Sequence, residues 1–238
     1  TFSMGVQRDD DQAPRFDPLA RTIDGPVHEL TIAPYFCSKY EITQAQWVRL
    51  TGENPSAYDP GYKIKGQDGI ISATPPVAQV SWLDARAHLS HWGLALPTEA
   101  RWERAARAGT DTLYVGTNDI RQVGRFGNVP GEEARGIVGN AMSGFRDEWV
   151  THAPVGSHEP NAWGFFDFTG NVWEWCLDPF GSYPVEARPG DGLRASIIDN
   201  RSYRGRPYSN GPRHLPLGLR TATHPDLPLS TLGIPPVR

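Results

Sequence analysis

The sequence predicts an α+β protein with few helices, short strands and a large share of irregular chain. Its 238 residues include 25 glycines and 22 prolines, which are spread without a fixed period, so turns and loops must be abundant. Only three windows carry helix-start signals, and the other apolar segments are short. Because 38% of the residues are hydrophobic and 21% charged, the chain can bury a core and is not disordered.

Three helices of about ten residues each are predicted from the residues at their ends. Each window opens with a Ser or Thr that can cap a helix and closes at a Gly that can end one. In the first window, Thr43-Gln44-Ala45-Gln46 also has the form of a capping box. The helices are expected at residues 43–52, 81–93 and 98–109.

Two short strands are predicted before the first helix. Residues 27–32 alternate apolar and polar side chains as a half-buried strand does, and residues 35–40 form the second candidate. After residue 110 mainly loop signals remain, and residues 111–160 contain more loop than a compact domain usually carries. A bound ligand or metal ion would explain how that region is ordered. No linker marks a boundary, so one domain over residues 1–238 is expected.

Charge and hydropathy argue against two classes of partner. The formal net charge is −4, and no stretch shows the clustered Lys and Arg that binding to nucleic acid needs. No apolar run reaches the roughly 18 residues that a membrane span needs. The two cysteines, Cys37 and Cys176, are too few for a disulfide framework or a structural zinc site, so they form one disulfide or remain two buried thiols.

Residues 161–175 are the most informative window, because three of the eight tryptophans lie there with two acidic residues. If the chain folds back at Gly170-Asn171, Asp167 and Glu174 face each other. Two carboxylates with backbone carbonyls between them suit a hard cation such as calcium, which binds oxygen atoms. Alternatively, the tryptophans are core residues and Gly170 is an ordinary turn residue.

Two long motifs resemble the signature pair of the formylglycine-generating enzyme (sulfatase-modifying factor) domain family. They are Leu-Pro-Thr-Glu-Ala-Arg-Trp-Glu-Arg-Ala-Ala-Arg at residues 96–107 and Gly-Phe-Phe-Asp-Phe-Thr-Gly-Asn-Val-Trp-Glu-Trp at residues 164–175. Residues 2–5, 39–43 and 76–82 match the family in the same order. The resemblance covers essentially the whole chain and implies a C-type-lectin-like variant of the formylglycine-generating enzyme fold.

The resemblance also separates branches of the family. Formylglycine-generating enzymes use two cysteines near the C-terminus to bind copper, because thiolates suit a soft Cu(I) ion. The corresponding residues 204–213 contain no cysteine, so no copper site is expected. The chain then resembles the pyoverdine-maturation oxidase branch, which implies an oxidoreductase that oxidises the chromophore of a peptidic siderophore precursor. The alternative is a non-catalytic module that binds a peptide or protein. The branch implies a periplasmic or secreted protein, and a cytoplasmic location stays open.

The resemblance implies a groove lined by residues that bind and oxidise the substrate. The arginines would bind an anionic or phenolic substrate, and His214 or Tyr208 would move a proton. An exposed loop histidine is the alternative interpretation of His214. The candidate groove residues of this chain are Trp173, Arg206, Tyr208, Arg213 and His214, and Arg206 lies where the family usually has a small residue.

The resemblance further implies two structural calcium sites that would order residues 111–178. Each takes two side chains and two backbone carbonyls, all of them oxygen donors. Without an ion, Asn128 and Asp147 would each cap a turn. The first site comprises Asn128, Val129, Asp147 and Trp149, and the second comprises Asp167, Gly170, Val172 and Glu174.

Overall fold

The computed structural model describes residues 1–63, 72–131, 149–209, 211 and 215–238. Its regular elements are short and are separated by long irregular connections, as the sequence predicts. Two 3₁₀ helices, Thr22–Asp24 and Ile120–Arg125, lie within these connections. The other elements are β1 (Phe2–Met4), β2 (His28–Leu30), α1 (Gln44–Thr51), α2 (Trp82–His91), α3 (Glu99–Arg107), β3 (Trp173–Pro179), β4 (Arg201–Gly205), β5 (Thr221–Thr223) and β6 (Leu232–Gly233).

The three predicted helices are confirmed, with the expected caps at their N-termini. The Thr43 hydroxyl accepts the Gln46 N–H at 3.2 Å, and the Gln46 side chain accepts the Thr43 N–H at 2.9 Å, which completes the capping box. Thr98 caps α3 by accepting the Arg101 N–H at 3.2 Å. This helix ends earlier than predicted, because Ala108 takes a left-handed conformation with φ 48°.

The strands form two separate sheets. Strands β1 and β2 pair antiparallel, and the second sheet has the order β5-β4-β3-β6, with β6 parallel to β3. Strand β3 is the longest at seven residues, and the first four of them are buried. A strand that is buried on both faces shows no alternation of apolar and polar residues, which explains why the sequence did not identify it.

The strand predicted at residues 35–40 is wrong. Only an isolated bridge between Cys37 and Val237 forms there, with backbone hydrogen bonds from Phe36 to Arg238 and from Ser38 to Pro236. The facing segment contains Pro235 and Pro236, which have no N–H to donate, so the ladder cannot extend.

Tryptophan side chains join the second sheet to the helices. Trp175 on β3 is fully buried and donates its indole N–H to the Val80 carbonyl at 3.0 Å. Trp82 on α2 donates to the Cys176 carbonyl at 2.8 Å. Both rings belong to the largest apolar cluster. Trp163, which also lies in the tryptophan-rich window at residues 161–175, is 48% exposed, so it is not a core residue. None of the helices in the described ranges is long and apolar enough to cross a membrane.

A buried network of charges joins α3 to the second sheet. Arg204 on β4 binds Glu99 at 3.0 Å and Glu103 at 2.6 Å, and Arg220 binds Glu99 through two hydrogen bonds of 2.6 and 2.7 Å. Arg107 binds Glu103 at 2.8 Å. The arginines lower the pKa of both carboxyls to about 2 against the opposing effect of burial. Both carboxylates are therefore ionised inside the core, where the arginine side chains balance their negative charges.

Replacing Arg204 with Met should destabilise the protein strongly, because it leaves two buried carboxylates short of a partner. Loss of one member of a buried ion pair costs about 3–5 kcal/mol, which urea unfolding at pH 7 would measure. Arg121→Met is the control, since Arg121 pairs with Asp119 while its side chain is 84% exposed. Equal urea midpoints for Arg204→Met and Arg121→Met would show that the buried charges do not depend on Arg204.

Candidate functional site

The candidate site is built around the turn that precedes β3. Asp167, Gly170 and Asn171 have positive φ angles of 61°, 74° and 61°, so the chain reverses tightly here. A Cβ atom on Gly170 would lie 2.0 Å from the carbonyl oxygen of Asn128, which restricts this position to glycine. The turn therefore packs directly against the segment that contains Asn128.

Asn171 connects the turn to four other segments. Its backbone N–H donates to the Asn128 carbonyl at 2.9 Å, and its side-chain oxygen accepts the Ala153 N–H at 3.0 Å. Its amide nitrogen donates to Glu41 at 3.0 Å. Its carbonyl accepts the Tyr208 N–H at 2.9 Å. One fully buried side chain thus fixes the turn relative to both the predicted calcium segments and the predicted groove.

Three buried carboxyl groups interact around this turn. One oxygen of Asp167 accepts the Gly156 N–H at 2.7 Å, and one oxygen of Glu174 accepts the indole N–H of Trp102. The third is Glu41, which lies 130 positions from its partner Asn171 in the sequence. One oxygen of Asp167 and one of Glu41 are buried without a hydrogen-bond partner among the described residues.

Burial raises the pKa of all three carboxyls. The pKa of Asp167 rises to about 6 because of burial, and that of Glu174 rises to about 8 because of burial and the nearby charge of Asp167. Burial also raises the pKa of Glu41, with further contributions from Asp167 and Glu174. Unlike Glu99 and Glu103, these carboxyls have no arginine partner in the described chain. The turn therefore has no arginine cation among the described residues, and the charge of His158, which lowers the pKa of Asp167, only partly opposes burial.

The first predicted calcium set is only partly within the described residues. Asn128 is fully buried and donates its amide N–H to the Thr151 carbonyl at 2.6 Å, which leaves its side-chain oxygen without a partner in the described ranges. Val129 is fully buried next to it, and Trp149 is half-buried. Asp147 lies outside the described residues.

The oxygen atoms at the turn fit the chemistry of a hard cation. Asp167 and Glu174 lie close enough for their charges to interact, and the chain between them carries the carbonyls of Gly170 and Val172. In the described ranges, no three His, Cys, Asp or Glu side chains are grouped so that they could hold a metal ion by themselves. A cation here would therefore need backbone carbonyls, as calcium commonly does.

Trp173 and Arg206 lie together at the start of the β3–β4 pair. Trp173 pairs with Gly205 across the strands, and its ring lies 4.9 Å from that of Tyr203. The Arg206 guanidinium is 4.7 Å from the centre of the Trp173 ring. Burial lowers the pKa of Arg206 to about 10, so the group stays cationic at neutral pH, and its Nε has no hydrogen-bond partner in the described chain.

Tyr208 belongs to a different cluster of rings. Its hydroxyl donates to the Tyr58 hydroxyl at 3.3 Å, and its ring is 5.2 Å from the His152 ring. Burial and the contact with Tyr58 raise the pKa of Tyr208, so the phenol stays protonated at neutral pH. This makes Tyr208 a hydrogen-bond donor rather than a base.

Sequence reasoning missed four residues of this site. Glu41 lies in the Lys39–Thr43 match and Asn171 in the second signature motif, so both were within reach of the resemblance. Tyr58 and His152 carry no local signal, because only the fold brings them to Tyr208. Two predicted groove residues, Arg213 and His214, lie outside the described residues.

The two cysteines are free thiols, Cys37 half-buried and Cys176 buried. Burial raises the pKa of Cys37 to about 12 and also raises that of Cys176. Both therefore remain protonated at neutral pH, and neither belongs to residues 201–238, which contain no cysteine.

Comparisons with known proteins identify relatives across the whole chain. The family model described as Sulfatase-modifying factor enzyme 1-like domain matches residues 1–238. The formylglycine-generating enzyme of Thermomonospora curvata is 28% identical over 226 residues, covering 75% of this chain and 68% of the relative. That of Streptomyces coelicolor is 35% identical over 180 residues, covering 71% of this chain and 55% of the relative. The chain thus spans 55% to 68% of the length of these curated relatives.

Two solved structures have a similar fold. Treponema denticola variable protein 1 has a TM-score of 0.75 at 22% identity, covering 92% of this chain and 89% of that protein. PvdO from Pseudomonas aeruginosa has a TM-score of 0.69 at 24% identity, covering 100% of this chain and 90% of that protein. These similarities confirm the predicted α+β, C-type-lectin-like variant of the formylglycine-generating enzyme fold.

In a chelating buffer, stability should fall as the pH rises from 5 to 8. Asp167 and Glu174 hold their protons up to about pH 6 and 8 in the folded state, against ordinary values of 3.8 and 4.5. The folded state therefore binds more protons than the unfolded state in this range, and the loss should be about 5 kcal/mol. Glu174→Gln should reduce this loss, whereas Glu53→Gln, at an exposed position, should not. Urea unfolding at each pH would measure this loss. A free energy of unfolding that does not change between pH 5 and 8 would contradict the raised pKa values of Asp167 and Glu174.

Proposed function

This chain belongs to the sulfatase-modifying factor enzyme 1-like domain family, and we propose that it is an oxidative tailoring enzyme without copper thiolates. Its proposed substrate is a peptidic siderophore precursor whose chromophore ring it oxidises, as in the pyoverdine-maturation branch that the sequence resembles. The observation that carries the proposal is that residues 201–238, which include the groove segment, contain no cysteine. A Cu(I) site of the formylglycine-generating type needs thiolates there.

The groove residues have the chemistry to bind such a substrate. The Arg206 cation on the face of Trp173 offers N–H donors to an anionic or phenolic oxygen of the peptide. Its Nε is buried without a partner in the described chain, so a bound oxygen atom would satisfy it. Arg213 and His214 remain proposed members of the groove.

Tyr208 would relay a proton from the substrate in the reaction. Burial keeps its phenol protonated, and its hydroxyl is 3.3 Å from that of Tyr58, so a proton could pass between the two oxygens. Oxidation of the ring removes two electrons and two protons from the substrate. With dioxygen as the acceptor, the balanced product is hydrogen peroxide.

We propose structural calcium at the turn before β3. Asp167, Gly170, Val172 and Glu174 would hold one ion, and Asn128, Val129, Asp147 and Trp149 a second. The support is the set of buried oxygens without partners and the shortage of positive charge described above. Calcium would bind the ionised carboxyls and order the turn that fixes Tyr208 through Asn171. A periplasmic or secreted location, where calcium is plentiful, belongs to the same proposal.

The oxidase proposal predicts activity on a reduced pyoverdine-type chromophore. Absorbance of the substrate under oxygen should change with the wild-type protein and not in a protein-free control. Arg206→Ala should lower kcat/KM by roughly 10- to 100-fold, since it removes a charged hydrogen-bond donor. Arg188→Ala is the control, because Arg188 pairs with Asp191 outside the groove.

The alternative function is a non-catalytic module that binds a peptide or protein. In the described groove, the Tyr208 phenol is protonated and the His152 imidazole is neutral. Neither side chain is charged, so these two residues suit the binding of a peptide as well as catalysis. No absorbance change, combined with tight binding of the same peptide, would reject the enzyme and support the module.

Calcium should raise the melting temperature, and a chelator should lower it. The increase should be larger at pH 8 than at pH 5.5, because Glu174 must lose its proton to bind the ion. Glu174→Ala should abolish most of the increase, whereas Glu53→Ala should retain it. Melting that is indifferent to calcium and chelator at both pH values would reject the metal site.

A further inference from the structure

His152 is a buried polar side chain that the proposed reaction does not use. Its ring is only 3% exposed, and neither ring nitrogen has a hydrogen-bond partner among the described residues. A neutral imidazole carries one donor and one acceptor, and folded proteins rarely leave both unmet. The hydrogen bond from Ala153 N–H to Asn171 holds the backbone next to His152 in place, so the ring cannot turn away freely.

Tyrosine rings connect His152 to the protein surface. Tyr58 and Tyr208 both meet the His152 ring nearly at right angles, with centroids 5.4 and 5.2 Å away. Tyr62 packs against Tyr58 at 5.1 Å and is 41% exposed. We call these four side chains the aromatic site. The four rings pack in a row that leads from the exposed Tyr62 to the buried His152.

The contact that closes the aromatic site is weak. The hydroxyl oxygens of Tyr58 and Tyr208 are 3.3 Å apart, longer than the 2.5–3.0 Å of an ordinary O–H···O hydrogen bond (about 2.7 Å at its most frequent). A ring that carries a hydroxyl could therefore replace this contact at little cost.

The charge around His152 restricts the group that it would bind. Burial alone lowers the pKa of His152, to about 4, so the imidazole is neutral at physiological pH. No charged side chain in the described ranges contributes to that shift. A carboxylate or ammonium group placed here would be buried without a counter-charge. A neutral hydroxyl can either accept from the N–H or donate to the other nitrogen, so it would satisfy one of the two unmet nitrogens in either tautomer.

We infer that His152 binds the hydroxyl group of an aromatic substrate ring that packs against Tyr58 and Tyr208 and replaces their hydroxyl contact. This deepens the proposed oxidase function, and rests on it, by naming the class of ring that enters the groove. Arg206 would then contact another part of the same substrate, since its guanidinium lies on Trp173 rather than in the aromatic site.

Binding can be tested on the whole wild-type chain with simple probes. Protein labelled with ¹⁵N-histidine would be titrated with phenol, toluene and benzoate while the ring nitrogens are observed by NMR. We expect phenol to shift the His152 nitrogens by several parts per million, toluene to leave them almost unchanged, and benzoate to bind at least tenfold more weakly than phenol. Saturable phenol binding without a shift at His152, or a preference for benzoate, would overturn the inference.

Variants separate the hydrogen bond from a packing effect. His152→Phe should weaken phenol binding at least tenfold and leave toluene binding within twofold, whereas His152→Gln should retain part of the preference for phenol. His224→Phe, at an exposed histidine, should change neither. If phenol binds at His152 but the chromophore is not oxidised, the proposed function fails and this inference stands. If the chromophore is oxidised equally well by His152→Phe, this inference fails and the proposed function stands.

Discussion

The structure depends on how its buried carboxylates are compensated. Glu99 and Glu103 lie one turn apart on α3 and are held by Arg204, Arg220 and Arg107. This network ties the helix to β4 and to the segment before β5. It also reaches the N-terminal sheet, because Glu103 accepts the Gly5 N–H at 2.9 Å. Buried ion pairs add little net stability compared with an apolar core, but removing one partner is costly. The network therefore acts as a constraint on which segments can lie together.

Helix α3 also connects the carboxylates that arginines neutralise to those around the turn that have no arginine partner in the described chain. Arg204 pairs with Glu174 across the β3–β4 register, yet its guanidinium points to Glu99 and Glu103. The indole of Trp102 lies between, since it donates to Glu174 while the Arg204 guanidinium is 5.1 Å from its ring. Glu174, Asp167 and Glu41 are left with hydrogen bonds and no arginine partner in the described chain, although the charge of His158 acts on Asp167 and lowers its pKa. The groove depends on this unbalanced region, because Asn171 holds both Glu41 and the backbone of Tyr208.

Local signals allowed the sequence to predict helices, the turn and part of the site. Thr43 and Gln46 form the predicted capping box, and Asp167 and Glu174 interact across the predicted turn. Contacts between distant segments could not be predicted in this way. Glu99 and Arg204 are 105 positions apart and Glu41 and Asn171 are 130 apart, and no periodicity relates them. His152 illustrates the same limit, since a functional role for a single histidine can be inferred only when the fold places Tyr58 and Tyr208 against it. Strand β3 was missed because burial on both faces removes the alternation that identifies a strand.

The central claim is that a calcium ion supplies the positive charge that the arginines do not provide at the turn. Anomalous X-ray diffraction from crystals grown with calcium tests it most directly. If calcium binds there, the map should show an anomalous peak between Asp167 and Glu174, with carboxylate and carbonyl oxygens about 2.3–2.6 Å away. A map with no peak at this turn, in crystals where the Asp167 and Glu174 carboxyls share a proton or bind only water, would contradict it.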